Sequence, residues 1–204
     1  MRNRKHLVAL QGLMLSVLVA LGPASAKSGA PMQAVERLHT AILEAARDGE
    51  TLGYEGRYEL LEPVIRTTHD IAFIGELTTG RYWRDMDEAE RLAFSEAFLH
   101  LSTATYASRF KTYSGESFEL LSESEQGPDS VLVKSLLSLS DGKTLRFDYA
   151  LRKSDQEWLI VNILVDGVSD LALKRAEYRK ILKQGGFSAL IDHLVEQVSE
   201  LETA

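Results

Sequence analysis

The chain contains no cysteine, which tells against two constructions. Without disulfide staples, an apolar core alone must hold the fold together. With no cysteine behind the expected leader, the sequence also argues against a lipidated N-terminal anchor. Basic surface is scarce too: 23 Lys and Arg stand against 30 Asp and Glu, a net charge of −7. No basic run offsets this balance, which argues against nucleic acid or anionic lipid headgroups as docking surfaces.

The apolar run LVALQGLMLSVLVALG, 16 residues long, is shorter than the roughly 20 residues of a membrane span. It follows the basic stretch MRNRKH and precedes Ala24-Ser25-Ala26, an A-x-A cleavage site. Residues 1–26 therefore read as a secretory signal peptide, and residues 27–204 as one exported domain. Loss of Arg2, Arg4 and Lys5 on cleavage takes the net charge from −7 to −10.

Catalytic and metal motifs are also missing. His39, His69, His100 and His193 have no partner at His-x-His or His-x-x-x-His spacing, so a zinc site has no support. His69-Asp70 is an HD doublet without the further ligands a phosphohydrolase metal site needs. In VDGVSDLALKRAEYR (165–179), Gly167-Val168-Ser169 is followed by Asp170 and Leu171, so the G-x-S-x-G elbow fails. The oxygen-ligand order of an EF-hand fails there too. What remains is a glycine turn followed by a helix N-cap at Ser169 or Asp170.

The positive content is apolar patterning. Val35, Leu38, His39, Ile42 and Ala46 make one helical face. Residues 48–53 (DGETLG) read as a break, and a second helical region runs from Tyr54 to Gly80, with Pro63 and Gly75 as kinks or boundaries. Asp85 and Glu88 suggest a capping box opening a helix to Phe110. On that helix Phe94, Phe98 and Leu101 form one stripe; Leu92, Leu99, Tyr106 and Phe110 form another, roughly 140° away. From Gly115 the period changes to that of strands, predicting about four antiparallel strands in a meander. Leu145, Phe147, Tyr149 and Leu151 share one face. The last strand, EWLIVNILV, is apolar on both: Trp158, Ile160 and Leu164 against Leu159, Val161, Ile163 and Val165. A closing helix carries Leu190, Ile191, Leu194, Val195, Val198 and Leu201 as its stripe.

A bifacial helix and a bifacial strand offer more apolar surface than one tidy core face requires. Protein can cover the second faces, or a lipid can. A 16-carbon acyl chain leaving water gains on the order of 13 kcal/mol gross at about 0.8 kcal/mol per methylene.

Two blocks carry a family resemblance. TGRYWRDMDEAERLAFSEAFLHLSTATYASRFKTY and EWLIVNILVDGVSDLALKRAEYRKILKQGGFSALIDHL, with RYELLEPVIRTTHDIAFIGELTTG, resemble the MlaC / toluene-tolerance family of periplasmic lipid-binding proteins over most of 34–198. Where many phospholipid-carrying members have a polar residue and an aromatic before the arginine, this chain has Leu173 and Lys174. In that detail it is more similar to the hopanoid-associated HpnM branch. The resemblance implies an α+β fold with a curved antiparallel sheet and helices around an acyl-chain cavity. It implies no cofactor and no bond chemistry. The implied partners are a phospholipid or hopanoid ligand, an inner-membrane ABC transporter with an MCE-domain subunit, and an outer-membrane lipoprotein complex.

The expected cavity wall draws on Phe73, Leu77, Trp83, Phe94, Phe98, Leu101, Phe147, Tyr149, Val161, Ile163, Val165 and Val168. Arg175 and Tyr178 are expected near its mouth. The competing reading is a periplasmic enzyme or small-ligand-binding protein on a related α+β scaffold. That reading needs convergent polar groups, and the faces supply only Asn162 and Asp148.

Overall fold

The computed structural model describes residues 30–203; the expected signal peptide and its cleavage site lie outside the described residues. Helix α1 (Ala30–Arg47) buries Val35, Leu38, His39, Ile42 and Ala46, the face its periodicity marks. It packs on α2 (Gly49–Thr68) and across the sheet. Then come α3 (Ile71–Thr79), the short α4 (Arg81–Asp85) and the long α5 (Glu88–Arg109). The sheet follows as β1 (Ser117–Gly127), β2 (Ser130–Ser138), β3 (Thr144–Ser154), β4 (Glu157–Val165) and β5 (Val168–Ser169), and α6 (Asp170–Thr203) closes the chain. The five strands run in chain order, each antiparallel to the next. Among the described residues no helix is long and apolar enough to cross a membrane.

The helix breaks differ from those the sequence suggests. Residues 49–52 are helical, so the break expected over 48–53 narrows to the turn at Asp48 and the kink at Gly53, whose φ of 62° suits glycine. Pro63 lies inside α2 with helical backbone angles around it. Gly75 lies within α3, where a Cβ would come 2.7 Å from the Trp83 ring and 2.9 Å from Phe94. It permits close packing and marks no boundary.

The true break is His69-Asp70. His69 forms an isolated parallel bridge to Ile160 and the Asp70 N–H donates to the Ile160 carbonyl at 3.0 Å. The Asp70 carboxylate accepts from the Phe73 N–H at 3.1 Å, capping α3. The capping box of α5 sits two residues later than expected, on Asp87 and Glu90, with reciprocal bonds of 2.8 and 3.0 Å.

Two tight turns explain the end of the sheet. Asp155 and Gln156 take φ of 44° and 73°, and Asp166 and Gly167 take 49° and 84°, as a two-residue hairpin of the I′ kind requires. The VDGVSD stretch is thus a hairpin into β5 followed by a cap. The Ser169 hydroxyl accepts from the Ala172 N–H at 3.1 Å and donates to Asn162 Oδ1 at 3.0 Å. Asn162 Oδ1 also accepts from the Leu171 N–H at 3.2 Å.

In β4 the pairing skips Val161: Asn162 faces Ala150, while Ile160 faces Leu151. This bulge leaves Ile160 on the face of Trp158, as alternation has it, and puts both on the face of Ile163 and Val165, so that of their expected group only Leu164 departs. Helix α5 separates two apolar clusters. Leu99 and Ala107 join α1 and the sheet, while Phe94, Phe98 and Leu101 join Ile74, Tyr178, Leu182, Leu190 and Leu194. Both predicted stripes are therefore covered by protein, except at Leu92, which is 63% exposed. The α6 stripe leaves Val195 outside as well; a kink at Gly186 (φ 73°) divides that helix.

Candidate functional site

A cavity of about 160 Å³ opens where α5, β4 and the start of α6 meet. Its floor is Ile74, Phe98, Phe147, Ile160, Val161, Ile163 and Val165, closed by Tyr106, Phe110 and Leu171. The bulge at Val161 positions this wall, because it lets the consecutive residues Ile160 and Val161 both reach the cavity. On α5, Phe98, Ser102, Thr105 and Arg109 recur at i, i+4, i+7 and i+11, which puts them on one helical face.

Polar side chains are present, but the helices use most of them. Ser102 donates to the Phe98 carbonyl at 2.8 Å, and Thr105 to the Leu101 carbonyl at 2.7 Å. With their protons spent one turn back, these side chains have no donor left for the interior and keep only acceptor lone pairs. His69 Nδ1 sits 3.0 Å from the Thr68 hydroxyl. Burial pushes the His69 imidazole down to about 4, against a smaller opposing effect of the Ile65 backbone, so it is neutral near pH 7. Burial also raises the Tyr106 phenol above its ordinary value, with Asp170 adding to the rise and Arg109 opposing it.

Charge collects at the mouth alone. Arg109 stands in the last turn of α5 and is exposed. Lys174 Nζ lies 3.3 Å from Asp170 Oδ1, one turn apart on α6, and 5.9 Å from the Phe98 ring centre.

Of the residues singled out in the sequence, Phe98, Phe147, Val161, Ile163 and Val165 come together in this wall. The others lie elsewhere. Phe94 and Leu101 are buried in the second cluster, where Trp83 meets Phe94 edge-on. Tyr178 is fully buried there against Phe94 and Phe98. Tyr149 is buried against His39, with Nε2 and Oη 2.9 Å apart. Phe73 lies under the Arg152 guanidinium. Arg175 Nε donates to the Leu77 carbonyl at 3.1 Å, tying α6 to α3. Val168 is 57% exposed on β5.

The polar Ser102, Thr105, Arg109, Asp170 and Lys174 and the apolar Ile74, Tyr106, Phe110, Ile160 and Leu171 also line the cavity and are absent from the expected wall. For the polar five, helical spacing relative to Phe98 and Leu171 was the available signal. Among the described residues no group of three His, Asp or Glu could hold a metal ion.

The architecture is shared with a protein of known structure. The phospholipid-binding protein from Ralstonia solanacearum, solved in complex with a phospholipid, superposes with a TM-score of 0.72 at 19% identity, over 84% of this chain and 96% of that one. The family model described as MlaC protein matches residues 36–196, nearly the whole described fold. This chain belongs to the MlaC family.

Proposed function

We propose that this chain is a periplasmic lipid carrier, a binding protein that makes and breaks no bonds. It takes the acyl part of a phospholipid or hopanoid into the cavity and moves it between the inner and outer membranes. In this reading it is the soluble component of an ABC-type lipid transport system. It exchanges lipid with an MCE-domain subunit at the inner membrane and with a lipoprotein complex at the outer membrane.

The observation that carries the reading is the chemistry of the wall: apolar side chains from α3, α5, β3 and β4, with Ser102 and Thr105 turned back onto their own helix. An enzyme would need reactive polar groups converging on one point of that wall. Of the polar groups on the wall, His69 Nδ1 is engaged by the Thr68 hydroxyl and Asn162 has its carbonyl oxygen committed to Ser169 and Leu171.

Size adds a requirement. About 160 Å³ is close to the ~150 Å³ of an engineered apolar cavity that takes benzene. A complete acyl chain therefore needs the wall to part, with α5, β4 and α6 as the elements that move.

The test is native mass spectrometry of the protein purified without detergent, followed by extraction of what it carries. A stoichiometric lipid supports the carrier. A folded protein that carries no lipid and takes none from vesicles refutes it.

A further inference from the structure

The cavity has one polar end, and the composition of that end is lopsided. It offers the Arg109 guanidinium, the Lys174 ammonium, the Asp170 carboxylate and the Asn162 amide. Asp170 and Lys174 pair at 3.3 Å and largely cancel. Among the described residues Arg109 has no ion-pair or hydrogen-bond partner, so one positive charge at the mouth is left uncompensated. Asn162 Oδ1 already accepts from Ser169 and Leu171, which orients the amide and leaves Nδ2 as a donor. With Asp170 paired to Lys174, the balance left at the mouth is thus cationic and N–H donating. Behind it lies an apolar wall.

We propose that this mouth takes the phosphodiester of an anionic glycerophospholipid, and that Arg109 is the residue that selects it over zwitterionic and uncharged lipids. The proposal rests on the carrier reading and narrows it. A guanidinium presents a planar fork of N–H donors that two phosphate oxygens can accept together. A phosphatidylcholine headgroup brings its own cation to the same place and gains less. A neutral hopanoid polyol has no charge for Arg109 to meet. The net charge of −7 argues against docking on an anionic surface, but the field at the mouth is local. At a Debye length of about 8 Å, distant surface carboxylates are largely screened.

Arg109 is exposed, so the expected selectivity is that of a solvent-accessible ion pair, about threefold to fivefold. Lipid-stripped protein is incubated with vesicles holding equal amounts of phosphatidylglycerol and phosphatidylcholine with identical acyl chains, and of an uncharged hopanoid. The lipid recovered with the protein is then quantified by mass spectrometry. Both headgroups share one surface, so attraction of the protein to the vesicle cancels, and the ratio of bound lipids is independent of how much is bound.

Enrichment of phosphatidylglycerol by about threefold or more, falling to parity in Arg109→Gln and kept only in part in Arg109→Lys, which retains the charge without the fork, is the expected result. Asp170→Asn, which releases Lys174, is expected to raise it. Parity in the wild type overturns the proposal. So does enrichment that survives Arg109→Gln, or uptake of an uncharged hopanoid in preference to both. Uptake of neither phospholipid nor hopanoid is a different outcome: it defeats the carrier reading itself.

Discussion

Arg152 Nη1 lies 2.7 Å from Asp70 Oδ2, joining the far end of β3 to the first turn of α3. The same guanidinium sits 4.1 Å from the centre of the Phe73 ring, and the other carboxylate oxygen of Asp70 caps the helix. One aspartate thus starts a helix and fastens it to the sheet, at the break where the Ile160 carbonyl receives the Asp70 N–H.

A double-mutant cycle separates the two roles. Asp70→Asn keeps a cap acceptor and loses the ion pair, whereas Asp70→Ala loses both. Loss of the cap is worth about 1 kcal/mol. The pair is partly exposed, at 35% and 12% of the two side chains, and is expected to couple by about 1 kcal/mol. Urea unfolding of Asp70→Asn, Arg152→Met and the double variant measures that coupling. A value below about 0.3 kcal/mol, the scatter expected of independent sites, would show that the contact holds nothing.

Acid should loosen the fold through two buried imidazoles. Burial depresses His39 to about 3 and His69 to about 4. In the unfolded chain both titrate near 6.5, so there the unfolded state binds the proton first. Their contribution is complete above pH 6.5. It is lost as pH falls, toward 4 for His69 and toward 3 for His39. Between pH 7 and pH 5 each costs about 2 kcal/mol of stability. Chemical unfolding at both pH values, in the wild type and in His39→Gln, isolates one of them: the variant should lose about 2 kcal/mol less over the interval. An equal loss in both would mean that the folded protein protonates His39 as readily as the unfolded chain does.

The sequence was most informative where one helix or strand had to satisfy two neighbours. The two stripes of α5 became the borders of two apolar clusters, because side-chain direction on a helix follows from spacing alone. It was least informative where a distant partner decides. The break at His69-Asp70 is fixed by a bridge to Ile160, about 90 residues away in the chain, so proline and glycine drew the attention. Asp85 and Asp87 both precede a glutamate by three positions. Nothing local distinguishes the two capping boxes. The bulge at Val161 is likewise invisible to alternation, since every residue of β4 from Trp158 to Val165 except Asn162 is apolar.

That bulge is also the best place to test whether the cavity is where lipid goes. Val161 is the unpaired residue of β4, half-buried and part of the cavity wall. A substitution there leaves the ladder bonds of its neighbours in place. Val161→Trp should put an indole into the space and exclude an acyl chain, cutting lipid uptake from vesicles by about tenfold, or about 1.4 kcal/mol. Leu173→Trp, on a residue 61% exposed and outside the wall, is the matched control and should carry lipid as the wild type does. Thermal unfolding of both variants establishes that they are folded; where the indole overpacks, Val161→Phe is the smaller filler. A folded Val161→Trp that loads as much lipid as Leu173→Trp would place the acyl chain elsewhere in the protein, and with it the functional site.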